Sequence, residues 1–271
     1  MILVLAAILP ALAAGDASAD GAVKLPPPRV QYRADEASAS TAPWIDANGW
    51  QILRTPGKHY FYNVTANSAA LAAAEAFAYG ANAVVHTDAA GAGAFHKMLD
   101  FLRTVPDADL PVMANFGIID DGSDETGELM NLMARHNLLY KIVPSPDPRL
   151  DLNIKLGTKE FPLEQAADPS FLSHKLRAQL GDEKRLLRVY GSEVVIARLL
   201  GDGEHARVHI LNYSNRPVPG LRVRVLGAYA HQSVKAFSKP DMKLQDVSVG
   251  DGATEFTVSQ MSTYVVVDLT K

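Results

Sequence analysis

Residues 60–105 read YFYNVTANSAALAAAEAFAYGANAVVHTDAAGAGAFHKMLDFLRTV. Two short runs suited to strands, 60–64 and 83–86, alternate with two longer segments of helical texture. Residues 68–79 are rich in alanine and leucine, carry a single acid, Glu75, and are followed by Gly80, a helix stop. Residues 94–105 place Phe95, Met98, Leu99 and Leu102 at three- and four-residue spacing, and Pro106 closes the segment. Gly91-Ala92-Gly93 between strand and helix reads as a tight turn. Outward from this stretch the rhythm continues. Residues 50–54 predict a strand ahead of the Pro56-Gly57 turn, and 110–119 a long apolar strand interrupted by Gly117. Residues 124–136 predict a helix capped by Asp124 with Leu129, Leu132 and Met133 inward, and 138–143 a further strand. Strands alternating with helices of about a dozen residues predict an α/β domain, a three-layer, mostly parallel sheet of flavodoxin-like type.

The rhythm breaks at 144–167, where prolines accumulate at 144, 146, 148, 162 and 169. Asp168 caps one more helix, through 180, with Pro169 at its first position. Beyond Gly181 the texture is β throughout. Seven strands are predicted at 186–190, 194–199, 206–212, 221–225, 233–237, 254–258 and 263–269. The intervening turns carry Gly201-Asp202-Gly203, Asn215-Arg216-Pro217 and Gly250-Asp251-Gly252. Val208 with Ile210, and Val223 with Val225, alternate with polar residues, which predicts one solvated sheet face. Seven short antiparallel strands predict a C-terminal antiparallel β-sandwich. The expected organisation is an α/β domain over 49–184 and a sandwich over 186–271.

The 271 residues are 48% hydrophobic and 21% charged, enough for one large or two modest cores. The net charge is −4, with no basic excess to neutralise a phosphate backbone, so no nucleic-acid partner is expected. The absence of cysteine removes disulfides, thiolate nucleophiles and cysteine metal sites. Residues 2–14 form an apolar run ending in small residues, with Ala11-Leu12-Ala13 as a small-x-small exit. This reads as a signal peptide over 1–14, although no Lys or Arg precedes the run, and implies a periplasmic or secreted protein. The rival reading is a buried strand or helix. Residues 15–48, with Pro26-Pro27-Pro28, read as an extended leader, and Pro43-Trp44-Ile45 as its first anchor on the folded body. No other stretch is a candidate to span a membrane.

Parallel sheets bind ligands beyond the carboxyl ends of their strands. Polar residues gather at those ends here: Asn63 and Thr65, then His86, Thr87 and Asp88, then Asn115, Asp120, Asp121 and Asp124, then Asp147. The candidate ligand-binding set is therefore Asn63, His86, Asp88, Asn115, Asp120, Asp121 and Asp147. Turns and helix caps use the same residue types. Glycoside hydrolysis needs two carboxylates flanking one bond. Asp88 and Asp120 are the candidate pair, with His86 or His96 assisting proton transfer and Asn115 orienting substrate. Asp120, Asp121, Asp124, Glu125 and Glu128 also put five carboxylates in nine residues. Their spacing departs from a calcium loop and suits the acidic first turn of a helix, so no metal is assigned.

Other chemistries are absent from the pattern. There is no G-x-S-x-G elbow, no phosphate loop, no G-x-G-x-x-G and no H-E-x-x-H, so no cofactor is expected. His205 and His209 are poorly spaced for joint zinc ligation. Tyr190, Tyr213, Tyr229, Phe237 and Tyr264 are dispersed and read as packing rather than a sugar platform. Asn63-Val64-Thr65 and Asn212-Tyr213-Ser214 are glycosylation sequons overlapping strands.

The run from Ala206 to Val218, ARVHILNYSNRPV, is similar to the strand that opens the small sandwich of large bacterial glycosidases. With the α/β segment before it and the β-domain starting near Arg188-Val189-Tyr190-Gly191, residues 49–271 resemble the non-barrel portion of beta-galactosidase-type glycosidases: an amidotransferase-like α/β domain and a C-terminal sandwich. That resemblance implies a non-catalytic domain that helps assembly. Active amidotransferases use a cysteine nucleophile, which this chain lacks. The function expected is an exported, non-catalytic, carbohydrate-associated binding or assembly protein. Its partners would be carbohydrate, another protein or a second copy of itself. The alternatives are a small glycoside hydrolase using paired carboxylates and a purely structural interaction protein.

Overall fold

The computed structural model describes residues 12–14, 21–31 and 43–271. Most of the apolar run read as a signal peptide, and residues 15–20 and 32–42 of the stretch read as a leader, lie outside the described residues. The chain begins with β1 (Leu12–Ala14), β2 (Val23–Leu25), β3 (Arg29–Gln31), β4 (Trp44–Asp46) and α1 (Gly49–Arg54). It continues with β5 (His59–Asn63), α2 (Ala66–Ala78), β6 (Asn82–His86) and α3 (Ala89–Leu102). Then follow β7 (Phe116–Ile118), α4 (Asp124–Arg135), β8 (Tyr140–Ile142), β9 (Leu152–Ile154) and α5 (Pro169–Leu180). The remainder is β10 (Leu187–Tyr190), β11 (Val195–Gly201), β12 (His205–Asn212), β13 (Val218–Leu226), β14 (His231–Ala236), β15 (Leu244–Gly250), β16 (Ala253–Met261) and β17 (Tyr264–Thr270). An α/β region of parallel sheets is followed by an antiparallel sandwich.

The parallel strands divide between two sheets. The first has the order β1-β6-β5-β2 and the second β8-β7-β9, with every pairing parallel. β1 occupies the outer edge of β6, and β7 centres the second sheet. Trp44 and its neighbours form a small antiparallel pair with β3, and Ile45 is wholly buried as the anchor there.

Four local expectations are corrected. Residues 50–54 are a helix, α1. Gly49 and Ile52 are buried three residues apart, while Trp50 and Leu53 pack toward α4, a division only a helix gives. A Cβ on Gly49 would lie 2.0 Å from the Tyr79 ring, so the helix starts on glycine because an aromatic face lies flat on it. The turn expected at Gly91–Gly93 is the first turn of α3, capped by Asp88. Gly91 is required there, since a Cβ would lie 2.0 Å from Thr87 Oγ1 and 3.0 Å from Ala66 Cα. The cap of α4 is Ser123, not Asp124. The apolar run 110–119 is shared between two sheets: Val112 bridges Leu200 on the sandwich edge, and only Phe116–Ile118 enter the parallel sheet. Five strands depart from expectation: β9 within the proline-rich segment, β15, and β2, β3 and β4 in the stretch read as an extended leader, where β2 instead forms the edge of the first parallel sheet beside β5 and β3 pairs β4.

The sandwich pairs β10-β13-β16-β15 with β11-β12-β17-β14. Val208, Ile210, Val265, Val267 and Leu269 fill the space between the sheets. The opposite face of β12, expected to be solvated, is covered. Leu211, Tyr213, Tyr264 and Val266 belong to the core that holds α2, and His209 is buried among them. Alanines 69, 72, 73, 74 and 76 of α2 are fully buried, and their small side chains let the helix lie between sheet and sandwich.

Candidate functional site

The residues expected to line a crevice are placed as follows. Asn63 and His86 end neighbouring strands and meet, with Asn63 Oδ1 3.0 Å from His86 Nδ1, both exposed. The His86 ring stacks on Phe61 at 6.3 Å. Asp88 lies two residues further on and accepts the Gly91 N–H at 2.7 Å, the ordinary work of a helix cap. Asn63, His86 and Asp88 thus share the carboxyl end of the first sheet.

Asp120 follows the second sheet. It takes a two-point ion pair from Arg54, with Nε to Oδ2 at 2.9 Å and Nη2 to Oδ1 at 2.8 Å. Both side chains are mostly buried, and Arg54 also donates to Ser123 O, so the pair ties α1 to the start of α4. Asp121 accepts from Ser123 through both N–H and O–H. The Ser123 hydroxyl, more than any other contact, holds its carboxyl at about 2. Asp147 faces Arg149 Nε and Nη2 at 2.9 Å and Lys141 at 3.2 Å, and Arg149 holds its carboxyl far below the usual range. Asn115 is buried. Its Nδ2 donates to Asp151 and to Lys184 O, and its Oδ1 accepts the Leu186 N–H, so it binds the second sheet to the sandwich. Asp88 and Asp120 therefore stand on different sheets, each with a local structural partner.

A cleft of about 540 Å³ lies at the carboxyl ends of β7, β8 and β9, where the strand-end rule directs attention. Ile119, Pro144, Pro146 and Phe161 supply apolar surface, and Ser145, Asn153, Lys155, Lys159 and Glu160 supply polar groups. Asn153 shapes the wall: its Oδ1 accepts the Asp147 N–H at 2.9 Å and its Nδ2 donates to Asp147 O at 2.9 Å. This pairing stitches the β8–β9 loop as a strand would. Asp120 and Asp147 adjoin lining residues in sequence, but the lining set comes mostly from 144–161, which offers no periodicity. Among the lining residues Glu160 is the one carboxylate. Among the described residues no group of three His, Asp or Glu is arranged to hold a metal ion.

A second polar assembly was legible only as a lone acid in an alanine-rich helix. Glu75 of α2 is wholly buried and accepts four hydrogen bonds. Asn48 N–H and Nδ2 donate at 2.8 and 2.9 Å, Tyr62 OH at 3.0 Å, and Tyr213 OH at 2.6 Å. Desolvation raises its carboxyl above the usual range, against the pull of these donors. Tyr213 comes from the sandwich, so Glu75 joins both halves. Asn137, Arg185 and Arg207 make further crossings, and Arg198 donates to Ala78 O. His136, against Ser173 Oγ and the His174 ring, is pushed down to about 4, chiefly by burial.

No family model matches the chain, and no curated protein matches it. Among solved structures it is similar to alpha-L-fucosidase isoenzyme 2 from Paenibacillus thiaminolyticus, at 8% identity and a TM-score of 0.59. That match covers 79% of this chain and 61% of the fucosidase chain. It also aligns with the apo GH42 exo-carrageenase from Bacteroides ovatus at 9% identity and a TM-score of 0.40, covering 90% of this chain and 47% of that one. A third alignment is with Gan42B, a GH42 beta-galactosidase from G. stearothermophilus, at 8% identity and a TM-score of 0.41, covering 91% and 53%. The chain thus spans 61% or less of the length of each of these three. The fucosidase likeness shows a shared fold. Among the described residues no helix is long and apolar enough to cross a membrane.

Proposed function

We propose that the protein is a non-catalytic, carbohydrate-associated binding module, with the cleft beyond β7–β9 as its ligand site. The observation that carries this is the carboxylate inventory. Glycoside hydrolysis uses two carboxyl groups about 5–10 Å apart across one bond. The cleft offers Glu160 alone, and Asp88, Asp120 and Asp147 are engaged by a helix start or by arginines. What remains suits binding: apolar surface for sugar C–H faces, with amide, hydroxyl and ammonium groups for sugar hydroxyls. The fold shared with a fucosidase supports the carbohydrate association. Calorimetric titration with a panel of neutral oligosaccharides tests it. Binding is expected, weakened about tenfold in a Lys155→Ala, Lys159→Ala double variant. Binding unaffected by those changes places the ligand elsewhere and contradicts the cleft assignment.

Export is part of the same proposal, supported by the apolar run and its small-residue exit. Residues 12–14 bear on it from the other side, since they pair with β6. The intact mass of protein recovered from its native source discriminates. Export predicts a chain starting near Gly15, and a chain retaining residues 1–14 contradicts it.

A further inference from the structure

The outer sheet of the sandwich carries a row of side chains that fold stability does not explain. Strand register sets Arg188 of β10 directly opposite Arg224 of β13, which is opposite Glu255 of β16, itself opposite Ser248 of β15. Like charges directly opposed across strands are destabilising. Their compensation is incomplete. Arg222 takes Glu255 Oε2 through two N–H groups at 3.0 and 2.7 Å, leaving Arg224 3.7 Å from Oε1. Asp182, 4.0 Å from Arg188, accepts two hydrogen bonds from Arg177. Neither Arg188 nor Arg224 makes a hydrogen bond through its guanidinium among the described residues. Arg188 Nε and Arg224 Nη1 are buried without a partner, in side chains only 17% and 8% exposed. A buried guanidinium N–H left unpaired is costly and needs an acceptor.

Both arginines line a cleft of about 420 Å³, with Glu183, Ser248, Asp251 and Glu255. This lies within the range of small-ligand sites, roughly 300–1,000 Å³. Glu183 indicates what the pair accepts. Its side chain is 86% exposed, yet its carboxylate reaches over both guanidiniums, 3.6 Å from Arg188 and 3.7 Å from Arg224. These distances exceed those of charge-assisted hydrogen bonds, about 2.7–2.9 Å, so a better-placed oxyanion can displace it. Beside the pair stands Tyr190, 38% exposed, with the Arg188 guanidinium 5.1 Å from its ring centroid. Tyr190 does not line the cleft but stands beside it, on the Arg222 side of Arg188, where a sugar ring adjoining a bound acidic group can pack. We infer that this cleft recognises the acidic substituent of a carboxylated or sulfated glycan through Arg188 and Arg224, with Tyr190, beside the cleft, supporting the sugar chain as it leaves. The inference rests on the carbohydrate reading above and assigns a second site, distinct from the cleft beyond β7–β9.

The test is calorimetric titration of the full chain with oligogalacturonate, a sulfated disaccharide, a neutral oligosaccharide and inorganic sulfate. The acidic saccharides are expected to bind, with affinity falling as salt rises. Arg188→Gln should weaken them at least tenfold, Tyr190→Ala several-fold, and Glu183→Gln should strengthen them by freeing the guanidiniums. These three positions are at least partly exposed, and thermal melting confirms that each variant folds. Acidic-saccharide binding indifferent to Arg188→Gln and Glu183→Gln overturns the site. Inorganic sulfate binding as tightly as the saccharides, with Tyr190→Ala silent, overturns the glycan assignment in favour of a simple oxyanion site. If only the neutral oligosaccharide binds, and it is lost in the Lys155→Ala, Lys159→Ala variant, this inference fails while the proposed function stands. If no saccharide binds at all, both fail.

Discussion

Glu75→Ala is expected to lower the unfolding free energy by about 4 kcal/mol, the largest loss of any single change discussed. The carboxylate is the common acceptor for Asn48 N–H and Nδ2, Tyr62 OH and Tyr213 OH. Its removal orphans four buried donors, each of which costs roughly 1–3 kcal/mol before relaxation. Part of that is recovered if the tyrosines turn toward other acceptors, which keeps the total near the upper end of single-site effects. Glu75→Gln should cost about half as much, since it keeps one oxygen acceptor but points an amide N–H₂ at donors. The pH dependence has a defined sign. The folded carboxyl titrates above its ordinary value of 4.5, so between that value and the raised one the folded state holds a proton that the unfolded state has lost. This contribution to stability is therefore present below pH 4.5 and is lost as pH rises through the folded value. Chemical denaturation across this range should show the falling component in the parent chain and not in Glu75→Gln.

Asn137→Ala is expected to cost about 3 kcal/mol. Asn137 follows the His136 cap of α4 in the left-handed region, at φ 53°, where alanine is strained by about 1–2 kcal/mol. Its side chain works as a piece of backbone: Nδ2 donates to Val195 O at 3.0 Å and Oδ1 accepts the Ala197 N–H at 2.7 Å, both on β11. The two contributions separate by comparison. Asn137→Gly removes the strain but not the orphaned strand groups, so it should be about 1 kcal/mol more stable than Asn137→Ala and still well below the parent. Equal melting of the glycine and alanine variants would show that backbone conformation contributes nothing there.

The parts of this architecture that were legible are those with enough length to show a period. The helices α2 and α3 and the strands between them follow from residues 60–105, and Asp168 with Pro169 marked the start of α5. Short elements failed for physical reasons. Six residues of α1 present Trp50 and Ile52 at strand spacing, and only their packing, with Gly49 and Ile52 buried on one side and Trp50 and Leu53 toward α4 on the other, shows the helix. The run 110–119 is apolar apart from Asn115 because two sheets claim it, and no local pattern says where one ends. Most of β15 is exposed, Val247 and Val249 included, so its short alternation marks no buried face. The binding surfaces were hidden for a related reason. Lys155 and Lys159 lie within the proline-rich segment, just after β9, a three-residue strand too short to show a period. The opposition of Arg188 to Arg224 is a matter of register, fixed by partners 36 residues apart in the chain. Of the acidic candidates, the sequence located the strand ends correctly but could not say that arginines and helix starts already hold the carboxylates there.

The central claim is binding without turnover. Its most direct test measures hydrolysis of a broad panel of aryl glycosides and oligosaccharides by the purified chain, beside its Asp88→Asn and Asp120→Asn variants. Thermal melting accompanies the Asp120 variant, because losing the Arg54 pair is itself destabilising. The account predicts oligosaccharide binding with no hydrolysis above that of buffer, in all three proteins. Hydrolysis by the parent chain that disappears in both folded variants would contradict it and make Asp88 and Asp120 a catalytic pair.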